Sequence, residues 1–147
     1  MKSMANVVSI DLTNNKIKAL PPEFCANLFN LKNLVIDMNN VDTLPRDLLL
    51  LKKLELFSFV GNRVKSLPKF ILELENIKAL RNEWPFIASN QKTLANFEDF
   101  LDIEKTQFNL DRIRMQHYYT VNPQAESISF AEYVDSFSNS RMIQATL

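Results

Sequence analysis

The chain contains one glycine, Gly61, one cysteine, Cys25, and one histidine, His117, in 147 residues. Each scarcity closes off a class of chemistry. Gly-rich phosphate loops need at least two glycines, because the backbone must approach the phosphate where no Cβ fits. With so little glycine, tight turns fall to Asn, Asp and Pro, each for its own stereochemical reason. A lone cysteine forms no intrachain disulfide, which fits a reducing compartment. A Cys/His zinc site needs about four ligands, so none is expected. No other cofactor is expected either.

Long apolar runs are also missing. The most apolar window, Leu48 to Leu51, is cut off by Lys52 and Lys53, far below the roughly 20 residues of a membrane span. The opening Met-Lys-Ser-Met-Ala-Asn leads through Val7 and Val8 to Asp11, without the apolar stretch of a secretory signal. A cytoplasmic protein with no membrane contact is expected, with signal-independent secretion into a host cell as the other route. Charge of one sign is lacking too. Seventeen basic residues balance 17 acidic ones, so no surplus of Lys and Arg is at hand to displace phosphate counterions, and nucleic acid is not an expected partner.

What is present begins with apolar content of 46%, enough for a packed core rather than disorder. It is organised by repetition. Three segments align: Val7 to Pro21, Leu31 to Pro45 and Leu54 to Pro68. Asn15, Asn39 and Asn62 set the register, 24 and then 23 residues apart. Ile10 and Leu12, Leu34 and Ile36, and Phe57 and Phe59 alternate with polar or small residues, as in a short strand with one buried face. Each Asn is expected to turn inward and satisfy backbone groups in the bend. Ile17, Val41 and Val64, then Leu20, Leu44 and Leu67, continue the core. Pro21, Pro45 and Pro68 open a return path, on which Phe24, Leu48 and Ile71, then Leu28, Leu51 and Leu74, pack back onto the strands.

This pattern resembles the leucine-rich repeat family, in the subtype with Leu-Pro shortly after the Asn. The resemblance covers roughly Val7 to Asn82. It implies an α/β fold: a short right-handed solenoid with a parallel sheet on its concave face, stabilised by stacking of neighbouring repeats. A fourth copy starts at Ile77 and Leu80 but fails. Asn82 replaces an apolar residue, and Pro85, which lacks a donor, stands where the Asn belongs. Residues 1–82 are therefore assigned to the solenoid and 83–147 to a mainly helical C-terminal cap or module.

In that second part, Leu94, Phe97 and Leu101 recur at helical spacing, with Phe100 alongside, which predicts a helix over Lys92 to Lys105. Gln107 to Tyr119 fits a second helix anchored by Phe108, Ile113 and His117, and fits a strand as well. Pro123 breaks the chain. Ser129 and Glu132 have capping-box spacing, and Phe130, Val134 and Phe137 then share one face of a third helix reaching about Asn139.

No catalytic constellation emerges, and the chain is read as a non-enzyme. Cys25 falls on the return path of the first repeat, far along the chain from His117, and is read as an inert buried thiol. Glu98, Asp99 and Asp102 read as a solvated helix face. Some leucine-rich repeat proteins carry a ubiquitin-ligase domain that uses a catalytic cysteine; no cysteine follows Cys25, so that activity is not implied.

The resemblance implies binding of a protein partner on the concave sheet. Alternation places Ser9, Asp11, Thr13 and Asn14 there, then Asn33, Val35, Asp37 and Met38, then Leu56, Ser58, Val60 and Gly61, with Ala79, Arg81, Glu83 and Trp84 beyond. Val35, Met38, Leu56, Val60 and Trp84 form an apolar patch of the kind that marks a contact. Asp11, Asp37, Arg81 and Glu83 form a polar rim around it, and Ser58 is counted with the site. The expected function is an adaptor, a regulator of a signalling protein or a bacterial effector. The competing occupants of this face are the chain's own C-terminal segment and a second copy. The alternative function is a structural subunit or homodimer that associates through the N-terminal edge, which the six residues before Val7 hardly cover.

Overall fold

A computed structural model describes residues 4–82 and 111–133 of the chain. No helix among the described residues is long and apolar enough to cross a membrane. The fold is mixed α/β around a four-stranded parallel sheet. Strands β1 (Ser9–Asp11), β2 (Asn33–Val35) and β3 (Leu56–Ser58) lie side by side in sequence order. β4 (Ser66–Pro68) leaves the sheet, and β5 (Ala79–Arg81) is the fourth member, beside β3. Ser9, Asn33, Leu56 and Ala79 are in register, so one repeat of sequence advances the chain by one strand.

The core lies beneath this sheet. Leu34, Ile36, Val41 and Phe57 are fully buried, with Phe59 almost so. The Phe57 and Phe59 rings meet at 4.9 Å in a tilted pair, a geometry aromatic quadrupoles favour. β1, β2 and β3 are each followed by a turn held by an asparagine, buried at Asn39, half-buried at Asn62 and, against expectation, exposed at Asn15, where no earlier repeat covers it among the described residues. Asn39 is buried; its Nδ2 donates to the carbonyls of Leu12, Ile36 and Asp37, and its Oδ1 accepts from the N–H groups of Asn15 and Ile17. Asn62 donates to Ile36 and Phe59 and accepts from Val41 N–H. Asn15 donates to Leu12 and Thr13. The amide thus answers backbone groups within its own turn and in the preceding repeat.

The residue before each of these asparagines adopts a left-handed conformation: Asn14 at φ 64°, Met38 at 56° and Gly61 at 75°. The chain's one glycine sits at the third of these positions, where the missing Cβ removes the steric conflict. A methyl group placed on Gly61 would overlap Met38 Sδ and approach the Met38 Cα to 3.3 Å. The Met38 side chain therefore lies across Gly61.

The return paths begin after the three prolines: α1 (Pro22–Ala26), then two 3-10 turns, Arg46–Leu50 and Lys69–Glu73. Their backbone bonds repeat. Leu28 N–H donates to Cys25, Leu51 to Leu48, and Leu74 to Ile71. Cys25, not Phe24, therefore occupies the place of Leu48 and Ile71, and it is fully buried while Phe24 is half-buried. The reason is one extra residue between Pro21 and Leu28. The first return absorbs it by winding as an α-helical turn, which fits about 3.6 residues where the 3-10 turns fit about 3.

The described C-terminal residues pack on the third repeat. A helix, α2, runs over 111–121, followed by β6 (Ser127–Ser129) and a helical turn over 130–133. β6 pairs antiparallel with β4, Leu67 opposite Ile128. Met115, Tyr119, Ile128 and Tyr133 join the same hydrophobic cluster as the repeats. Tyr119 OH donates to the Leu67 carbonyl at 3.5 Å, and Arg112 reaches the Ile77 carbonyl at 3.4 Å.

Two expectations for this region are corrected. Ile113 is 62% exposed and His117 is exposed; Asp111, Met115 and Tyr119 form the buried face instead. That face includes a carboxylate, which receives the Tyr133 hydroxyl in the interior, so a hydropathy pattern points the helix the wrong way. Phe130 is likewise exposed, and Tyr133 takes the buried position. The capping box is present: Ser129 N–H donates to Glu132 Oε1 at 2.9 Å and Glu132 N–H to Ser129 Oγ at 3.2 Å. The helix expected over Lys92 to Lys105, the anchor Phe108, and Val134 and Phe137 lie outside the described residues.

Candidate functional site

The sheet face opposite the core carries alternate residues of each strand, as the period of two requires. Ser9 and Asp11 are exposed, Asn33 and Val35 are half-buried, and Arg81 is half-buried. Leu56, Ser58 and Ala79 depart from expectation. Leu56 is 9% exposed, and Ser58 and Ala79 are 0% exposed. The alternation rule supposes that one face of the sheet meets solvent, whereas Leu56, Ser58 and Ala79 are buried on that face within the folded chain. Leu56 and Ser58 are therefore not part of an accessible surface.

The polar members of this face are partly committed to structure. Asp37 Oδ1 accepts from Ser58 Oγ at 2.6 Å and from Val60 N–H at 2.9 Å. It clamps the end of β3 to the end of β2, and Ser58 is buried with its hydroxyl satisfied. Asp11 instead folds back on its own strand, its Oδ1 receiving the Thr13 hydroxyl and N–H at 2.5 and 2.9 Å. These two bonds, the hydroxyl first, hold its carboxyl below the usual carboxylate range.

What remains open is a strip over β1 and β2 and the turns that follow. Met38 is 59% exposed, Asp11, Thr13 and Asn14 are exposed, and Val35, Val60 and Gly61 are half-buried. Of the nine residues expected to form the site, Asp11, Val35, Met38 and Val60 lie along this strip. Asp37 and Ser58 serve the sheet itself, Leu56 is buried, Arg81 sits at the far strand, and Trp84 lies outside the described residues.

Sequence reasoning missed a second concavity, about 590 Å³, on the return side, between the two 3-10 turns and lined in part by Leu44, Pro68, Phe70, Leu72 and Glu126. Arg46 lies over the Phe70 ring at 5.9 Å and faces Glu73 at 3.8 Å. Lys69 and Glu126 also line the concavity. It depends on the β4–β6 pairing, a contact between distant segments with no local signature.

Cys25 is buried, and desolvation first, with the Asp47 charge second, raises its thiol to about 11. His117 is exposed on α2. Among the described residues no three His, Cys, Asp or Glu side chains converge on a metal-sized site. No protein-family model matches the chain, and no curated protein matches it.

Proposed function

We propose that this chain is a short leucine-rich repeat solenoid serving as a protein-binding adaptor or regulator, and that its partner docks on the concave face along the strip over β1 and β2. The observation that carries the reading is Met38. It is a large apolar side chain, more than half exposed, on a left-handed backbone position. The other repeats put Asn14 and Gly61 there, the residue types that tolerate that conformation at least cost. A non-glycine, non-asparagine residue at positive φ costs on the order of 1 kcal/mol, and such strain concentrates at functional positions.

The solenoid reading is supported by the one-strand-per-repeat register, the inward asparagines and the recurring return turns. The contact set is Asp11, Val35, Met38 and Val60. Methionine adapts to varied partner surfaces, Val35 and Val60 supply apolar area beside it, and Asp11 borders them. Affinity capture from a native extract, with wild type and Met38→Asn side by side, tests the proposal. The variant removes the thioether while relieving backbone strain, so it is expected to be at least as stable as wild type and to lose the captured partner. An unchanged captured set for Met38→Asn and for Val35→Glu/Val60→Glu would sink the reading.

A further inference from the structure

β1 is an edge strand: among the described residues it has β2 on one side and no strand on the other. Its inward bonds are made by even-numbered residues. Lys32 and Asn33 donate to the Val8 carbonyl, and Leu12 donates to the Val35 carbonyl. By the alternation of a parallel ladder, the N–H and C=O groups of Ser9 and Asp11 point away from β2. They form an open template for another strand.

The core beneath this edge is also open. Ile10, Leu12 and Ile17 are half-buried, whereas their counterparts Leu34, Ile36 and Val41 are 0% exposed. Val8 is 46% exposed. The residues stacked on it in the next repeats are Lys32 and Glu55, linked through consecutive backbone bonds. The sequence thus places a charge at this position where a neighbouring repeat covers the strand, and a valine where none does.

We propose that a second copy of this chain adds to β1 in antiparallel register about a two-fold axis at Ile10, joining the two sheets into one. A two-fold interface is isologous, so strands meeting across it run antiparallel, and each residue must suit its symmetry mate. Centring on Ile10 sets Ser9 opposite Asp11 of the second copy as a hydrogen-bonded pair. Those are the two residues whose backbone groups point outward, and symmetry repeats the pair. The side chains match as well. Ser9 Oγ accepts from Asn33 Nδ2, which leaves its proton to donate, and among the described residues Asp11 Oδ2 has no partner. Ile10 then meets its own copy on the core side, and Val8 meets Leu12. Centring on Asp11 instead would set two carboxylates face to face, which is unfavourable, and would demand the Thr13 N–H that Asp11 already holds.

The test is sedimentation velocity across a concentration series on the full chain, together with cysteine cross-linking. Wild type is expected to dimerise reversibly. Ser9→Asp, which sets Asp against Asp11, is expected to weaken the dimer about tenfold or more, and Ser9→Asp/Asp11→Lys to restore it, since like charges directly opposed are destabilising and opposite ones favourable. Ile10→Cys is expected to form a disulfide dimer under mild oxidation, because residues at a non-hydrogen-bonded pair approach to about 4.5 Å between Cα atoms. Val8→Cys, which faces Leu12, is not, and buried Cys25 does not compete. Val8, Ser9 and Asp11 are exposed and Ile10 is half-buried at the edge, and circular dichroism checks that each variant folds. A chain that stays monomeric throughout, a dimer indifferent to Ser9→Asp, or an Ile10→Cys variant that fails to cross-link each overturns the proposal.

Discussion

Asn39 makes five hydrogen bonds from one buried amide, three donated and two accepted. Removing it leaves carbonyls and N–H groups of two successive turns unanswered in the interior. Asn39→Ala is expected to cost about 3 kcal/mol or more, since each orphaned buried group costs roughly 1–3, and Asn39→Asp to fail as well because a carboxylate cannot donate. Chemical denaturation measures both. Met38 works in the opposite direction. Replacing a left-handed methionine by asparagine is expected to stabilise by roughly 0.5–1 kcal/mol, whereas Gly61→Ala, which meets Met38 Sδ at φ 75°, is expected to destabilise by about 1–2 kcal/mol. At Cys25 the raised thiol pKa favours the neutral form in the fold. The stability it contributes is full below the unfolded value and is lost as pH rises toward about 11. A thiol reagent at pH 8 is expected to label Cys25 only after denaturant is added; rapid labelling of the native protein would contradict its burial.

At the scale of elements, the capping box on the turn over 130–133 joins a local signal to a tertiary one. Tyr118 OH donates to Glu132 Oε2 at 2.5 Å. That bond, followed by the Ser129 N–H, holds the Glu132 carboxyl below its ordinary range, and the same bond raises the Tyr118 hydroxyl. A depressed carboxyl stabilises fully above its unfolded pKa, about 4.3, and loses that contribution as pH falls through the lower folded value. The cap is therefore expected to loosen in acid, below about pH 4, and Glu132→Gln to abolish that part of the acid dependence in a pH series of thermal melts. Ser129→Ala is expected to cost about 1 kcal/mol, as for other N-caps. Sequence spacing alone showed this box. It did not show β6, whose partner β4 lies 61 residues away between Ser66 and Ser127. Three residues of Ser-Ile-Ser shortly after the turn at Pro123 carry too little periodicity to be read as a strand, and Ile128 becomes part of one only through Leu67.

Across the whole molecule, Met115, Tyr119, Ile128 and Tyr133 share one apolar cluster with the repeats. The two regions are therefore expected to unfold together. Ile128→Ala should lower the midpoint of a single urea transition by an amount equivalent to about 2–4 kcal/mol, a normal cost for emptying a buried aliphatic site, without changing its slope. Two separated transitions by circular dichroism would mean that the C-terminal segment is an independent unit.

The repeating half was legible because its rules are local. An asparagine fixes a turn, alternation fixes a buried face, and a proline starts each return, so strand register and nearly every core residue from Leu20 to Leu80 could be read one repeat at a time. Along the return paths the exception, Cys25 in place of Phe24, came from one inserted residue whose absorption depends on helix pitch; on the sheet, Leu56 and Ala79 were buried against the alternation. The accessible surface was less legible. Alternation decides which side chains leave the core, but only packing decides whether they then reach solvent, and it left Val35 and Met38 accessible while burying Leu56 and Ser58. The facing of α2 was tertiary too. Its interior holds an aspartate matched to Tyr133 rather than the isoleucine that hydropathy favours, because a buried carboxylate is tolerable only where a distant residue satisfies it.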